Sequence, residues 1–115
     1  MGEETIEVEP TQAKSGQITT TSSYALSGDF SLTAENNDLV LAFDENYNAS
    51  TALPGLYIYL TNNPSTISGA LEIGKVQTFS GVHSYTIPNV DINEYSHVLY
   101  FCKPFNVKVG DGEIE

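Results

Sequence analysis

Tryptophan and arginine are absent from these 115 residues, cysteine occurs once and histidine twice, and lysine is scarce at four against fifteen acidic residues. The resulting formal charge of −11 would repel a phosphate backbone, which excludes nucleic-acid binding, and it disfavours an anionic membrane surface. No apolar run approaches the roughly 20 residues that span a bilayer, so no membrane span is expected in this chain. A single cysteine, Cys102, excludes an intramolecular disulfide and leaves packing and backbone hydrogen bonding to hold the domain together. Nothing here reads as a signal peptide: Met1-Gly2-Glu3-Glu4 lacks a basic start and an apolar stretch. The myristoylation pattern also fails, because Ile6 stands where Ser or Thr is required.

What is present suffices for a folded core: 40% hydrophobic residues, with seven tyrosines and five phenylalanines. The length suits one domain with trimmings. Residues 1–15 are acidic and polar, Ile6 and Val8 alternating with Glu7 and Glu9 before Pro10, which reads as a tether or one edge strand. From Tyr24 to Ala34 a period of two sets Tyr24, Leu26, Phe30 and Leu32 on one face, with Gly28 marking a bulge or a close backbone approach. Leu39 to Phe43 forms a second strand after Asn36-Asn37-Asp38, and a long polar connection then runs from Asp44 to Pro54. Leu56 to Leu60, apolar on both faces, is the candidate central strand.

Further strand-like segments fall at Ala70–Ile73, Val76–Phe79, His83–Ile87, His97–Cys102 and Phe105–Val109, and Val90–Tyr95 has room for one helical turn. No window sustains helical periodicity. The expected fold is all-β, an antiparallel β-sandwich or barrel-like domain of about eight short strands.

Chemistry-bearing residues are few. Cys102 shares strand parity with Val98 and Tyr100, so it reads either as a small core hydrophobe or as a redox-active or metal-binding thiol at a strand end. Lys103 would favour the thiolate were it close, but parity sends its side chain to the opposite face. His97 and Cys102, five residues apart, face opposite sides of a continuous strand and cannot share an ion. The chain is therefore expected to purify colourless, with no cofactor of its own and without stoichiometric transition metal. Asp44-Glu45 and Asp111-Gly112-Glu113 lack a calcium-loop pattern, no nucleophile elbow is present, and Asn48-Ala49-Ser50 is a bare glycosylation triplet. Tyr57 and Tyr59, with Tyr85 and Tyr100, form either an aromatic binding surface for sugar or protein or a second core face.

The order and spacing of Leu26-Ser27-Gly28, Leu39 to Phe43, Pro54-Gly55 through Leu60, Ile73 to Val76, Tyr85-Thr86-Ile87-Pro88 and Val98 through Gly110 resemble the DM13 domain over residues 16–115. DM13 is a small extracellular β-domain found alone and beside DOMON-type cytochrome modules. The resemblance implies a redox or electron-transfer role centred on the family's hallmark cysteine, here Cys102. It also implies a secreted or surface-anchored setting, and a leader ending just before Glu3 is expected. Two positions depart from the family pattern: Tyr24 stands where a histidine is common, and Phe101 where tryptophan often precedes the cysteine. Because one cysteine cannot cycle between dithiol and disulfide alone, the second redox centre is expected on a partner, a redox protein. The rival expectation is a non-catalytic cell-surface module that binds protein or polysaccharide through Tyr57, Tyr59, Tyr100 and loops.

Overall fold

The structure, a computed structural model, describes residues 12–115. Among these residues nine strands make up one antiparallel sheet: β1 Ala13–Thr20, β2 Leu26–Glu35, β3 Asp38–Phe43, β4 Asn48–Ala49, β5 Leu56–Thr61, β6 Leu71–Lys75, β7 His83–Pro88, β8 His97–Cys102 and β9 Val107–Glu113. Their order is β6-β5-β8-β9-β1-β2-β3-β7, with short β4 paired to β2 off this path. The sheet curls into a nearly closed barrel whose two unpaired edges are β6 and β7. Between those edges lies a cleft of about 370 Å³ lined by Leu71, Ile73, Ile87, Val90 and Tyr95 among others. A register shift in the β5–β6 pairing and Pro88 at the end of β7 interrupt these edges, as is usual where further strand pairing must be avoided.

Alternation explains the barrel. In β2 and β3 the residues Leu26, Phe30, Leu32, Leu39, Leu41 and Phe43 are buried, while their neighbours face outward. Full burial of each such side chain contributes about 1.5–3 kcal/mol. The interior is completed by Leu56, Ile58 and Leu60 of β5 and by Val98, Tyr100 and Cys102 of β8, which join the same core cluster.

Several expectations need adjustment. Most of the expected tether or edge strand over residues 1–15 lies outside the described residues; Ala13 to Ser15 open β1. Beyond residue 15, β1 has no counterpart among the expected strands, because only Ile18 in it is buried and the rest of AKSGQITT is polar. Val76–Phe79 is not a strand: the Val76 N–H donates to Leu56 O, and the carbonyls of Thr78 and Phe79 accept from Tyr47 Oη and from the Ala49 N–H. Residues 90–95 form no helix but hold a single turn, closed by the Glu94 N–H donating to Asp91 O at 3.0 Å. Pro104 to Asn106 belong to the β8–β9 turn, where Asn106 adopts φ 55°.

Because every pairing is antiparallel, the end of β8 lies beside the ends of β1, β3 and β6 and the starts of β2, β5, β7 and β9. Cys102 is thus at the barrel end that carries the loops 21–25, 44–55, 76–82 and 103–106. The two large hydrophobic residues most open to solvent among those described, Val82 at 74% and Phe105 at 50%, sit in loops at this same end.

Candidate functional site

Cys102 occupies the last position of β8, opposite Leu56 on one side and Val107 on the other, and is fully buried. The chain leaves it through a turn tied to the start of β5: the Lys103 N–H donates to Gly55 O at 3.1 Å. Gly55 is required here because a Cβ at this position would lie 2.8 Å from Pro104 Cδ and 2.9 Å from Cγ, well inside contact distance. Lys103 does point away from the thiol. Its Nζ lies 4.2 Å from the Tyr57 ring centroid and 2.5 Å from Glu72 Oε1. The ammonium therefore serves an outer-face cation–π contact and an exposed ion pair, and does not stabilise a thiolate.

The same interior holds an aromatic cluster. Tyr100, fully buried two residues before Cys102, donates its hydroxyl to Tyr47 Oη at 3.4 Å, and Tyr47 donates to Thr78 O at 3.1 Å. Phe43 lies at the centre, with ring centroids 4.8 Å from Tyr47, 4.9 Å from His83 and 6.4 Å from Tyr100. His83 packs edge-on to Tyr47 at 4.4 Å and to Tyr85 at 5.6 Å. Its Nδ1 lies 2.9 Å from Gly81 O, and since a carbonyl can only accept, Nδ1–H is the donor. Its Nε2 is buried without a partner.

The expected tyrosine surface is not assembled. Tyr100, Tyr47 and Tyr59 are 0%, 1% and 3% exposed, because the first two point into the barrel and Tyr59 lies in a crowded outer face of β5. Only Tyr57 of the named set on β5 and β8 is half-buried, and it carries Lys103. The binding-module reading, which looks for an exposed aromatic patch near Tyr57, Tyr59 or Tyr47, is not met at Tyr47, which lies in a polar connection yet is buried. The local signal that it is a core residue is Gly28, at φ 137°, whose missing Cβ leaves room for the Tyr47 backbone. His83 and Thr78, which complete the cluster, carry no sequence motif. Among the described residues no group of three or more His, Cys, Asp or Glu side chains is placed to hold a metal ion.

Burial opposes ionisation of these phenols. It pushes Tyr47 up to about 12, with the hydrogen bond from Tyr100 partly offsetting, and it raises Tyr100, Tyr85 and Tyr59 above the ordinary tyrosine value. A folded-state value above the unfolded one means that stability is fully present below about pH 10 and is lost as pH rises toward the folded value. An alkaline titration followed by phenolate absorbance is expected to show a late group of tyrosines, released together with unfolding above about pH 10. Independent titration of all seven tyrosines at the ordinary value would contradict the buried cluster.

A family model described as Electron transfer DM13 matches residues 17–114. No curated protein and no solved structure matches.

Proposed function

We propose, from the premise that the chain belongs to the electron transfer DM13 family, that it exchanges reducing equivalents with a partner protein through Cys102. The observation that supports this reading is the position of the thiol. It ends a strand at the loop-bearing mouth of the barrel, directly before a four-residue turn, so a local opening is enough to reach it. The partner supplies the second redox centre. In the exchange step, the Cys102 thiolate attacks a partner disulfide; a new S–S bond forms to Cys102, the partner's S–S bond breaks, and its leaving sulfur takes up a proton. The partner's leaving thiol is the reduced product, and Cys102 is the oxidised one.

The charge of −11 suits a partner with a basic docking face, whose association would weaken with salt. The proposed setting is outside the cell, secreted or surface-anchored, where disulfide partners persist. The sequence of the full precursor tests that setting directly, through the presence or absence of a leader or lipid anchor.

Full burial of Cys102 sets the kinetic expectation. Alkylation of the folded chain should be about a hundredfold slower than that of the unfolded chain, the ratio for an opening of about 3 kcal/mol. Gly55→Ala, which drives a methyl into Pro104, should loosen the turn and accelerate alkylation about tenfold. Glutathione disulfide should then form one mixed disulfide per chain, detected by intact mass, faster in Gly55→Ala and absent in Cys102→Ser. A folded chain that acquires no glutathione while its thiol is alkylated at a measurable rate would sink the exchange mechanism.

A further inference from the structure

We propose that the cleft between the β6 and β7 edges is a docking site for a basic segment of the partner protein, which places an apolar side chain in the barrel seam and lysine or arginine against the carboxylates around it. The inference rests on the electron-transfer reading of the family for there being a partner, and it does not involve Cys102. Leu71, Ile73, Val90 and Tyr95 pack against the core from this seam yet are only partly buried, beside Ile87 at 6% exposure. The cleft volume of about 370 Å³ falls within the roughly 300–1,000 Å³ of ligand pockets. The register shift beside β6 and Pro88 at the end of β7 spoil both edges for strand pairing. Recognition here therefore runs through side chains, not through an added strand.

Charge decides the occupant. Leu71 opens β6 and Pro88 ends β7, so the cleft lies at the barrel end opposite Cys102. Glu94 lines it, and Asp91 lies in the same β7–β8 loop. Asp38, paired with Pro88, and Glu35, paired with Asp38, stand beside its β7 wall. Glu72 also lines the cleft but is engaged by Lys103. Of the four lysines, Lys75, Lys103 and Lys108 belong to the Cys102 end, and Lys14 lies in β1, separated from β7 by β2 and β3. An apolar floor rimmed by carboxylates suits an apolar side chain carried between cationic ones.

The same charge disfavours the other occupants. A second copy of the chain also carries −11, and the chain's own first residues bring Glu3, Glu4, Glu7 and Glu9 beside Ile6 and Val8. A segment docked at this end tethers the partner without covering the loops around Cys102, which raises the partner's effective concentration at the thiol.

The chain has no tryptophan, so a synthetic peptide with one tryptophan between two pairs of lysines reports its own burial by fluorescence. With the full chain its emission should shift to the blue and titrate with a dissociation constant of about 0.1–1 mM. Binding should weaken about threefold or more from about 20 to about 200 mM salt. A peptide with glutamates in place of the lysines should bind about tenfold more weakly or worse. Glu94→Gln, which keeps an acceptor for the Asp91 N–H, and Asp38→Asn should each weaken the lysine peptide about threefold. Cys102→Ser should bind it as the parent does.

In the unmodified chain, nuclear magnetic resonance shifts on adding the peptide should centre on Leu71, Ile73, Ile87, Val90 and Tyr95 and spare Val82 and Phe105. Absence of saturable binding, shifts centred on the Cys102 end, equal binding of the glutamate peptide, or unchanged affinity in both charge variants would overturn the proposal. So would a dimer of the free chain that the peptide dissociates, or contacts of Ile6 or Val8 with Ile73 or Ile87 in the free chain, because each assigns the cleft to another occupant. Peptide binding without glutathione exchange would remove the Cys102 mechanism and keep the docking site; exchange without peptide binding would remove the docking site alone.

Discussion

Gly28→Ala is expected to lower stability by about 3 kcal/mol or more. Two costs combine. The residue adopts φ 137°, a region open essentially to glycine alone, and for a residue with a side chain this costs about 1–3 kcal/mol. In addition, the new methyl would lie 2.7 Å from Tyr47 Cα and 3.2 Å from Tyr47 N. Backbone cannot swing aside as a long side chain can, so the 44–55 connection would have to lift from β2. Its attachments there are the Leu26↔Ala49 and Ser27↔Asn48 pairings and the hydrogen bonds between Asn46 and Asp29. Denaturant unfolding measures the loss, and the phenolate titration should advance at the same time as Tyr47 is exposed. A Gly28→Ala chain within 1 kcal/mol of the parent, an allowance on the scale of ordinary surface changes, would show that the close approach is not needed.

Tyr100→Ala should cost about 3–5 kcal/mol, the range for deleting a large aromatic from a packed core. Tyr100 is among the largest fully buried side chains, and it touches both Phe43 and Tyr47 across the interior. The cavity would open next to Cys102 on the same face of β8, so alkylation of the thiol should quicken as well. Tyr100→Phe separates ring from hydroxyl: it should cost only about 1 kcal/mol, since Tyr47 retains its bond to Thr78 O. Equal losses for the Ala and Phe variants, measured by urea unfolding, would mean that the hydroxyl pair rather than packing holds this site.

Legibility followed locality. Strands with a period-two pattern declare themselves, as in Leu26 to Leu32, where large apolar residues alternate with small or polar ones, and Leu39 to Phe43, where larger buried residues alternate with Val40 and Ala42, because such burial is written residue by residue. Strand β1 does not, since one buried residue, Ile18, cannot make a pattern. It is a strand because β2 and β9 flank it and supply its hydrogen bonds. Val76–Phe79 shows the converse, a strand-like segment whose backbone groups are used by Leu56, Tyr47 and Ala49, so it runs irregularly instead of pairing.

The sequence by itself determined the all-β class, the order of motifs that marks the family, and the face on which Cys102 lies. These depend on composition and on parity along one strand, both of which are local quantities. Tertiary structure decided that one sheet curls into a barrel with β6 and β7 as its edges, that Tyr47 leaves a polar loop for the core, and that His83 meets it there. Those outcomes depend on pairings between residues far apart in the chain, such as Phe43 with His83 and Leu56 with Cys102. Burial of a side chain is a property of everything packed around it, and that is fixed only once the barrel has closed.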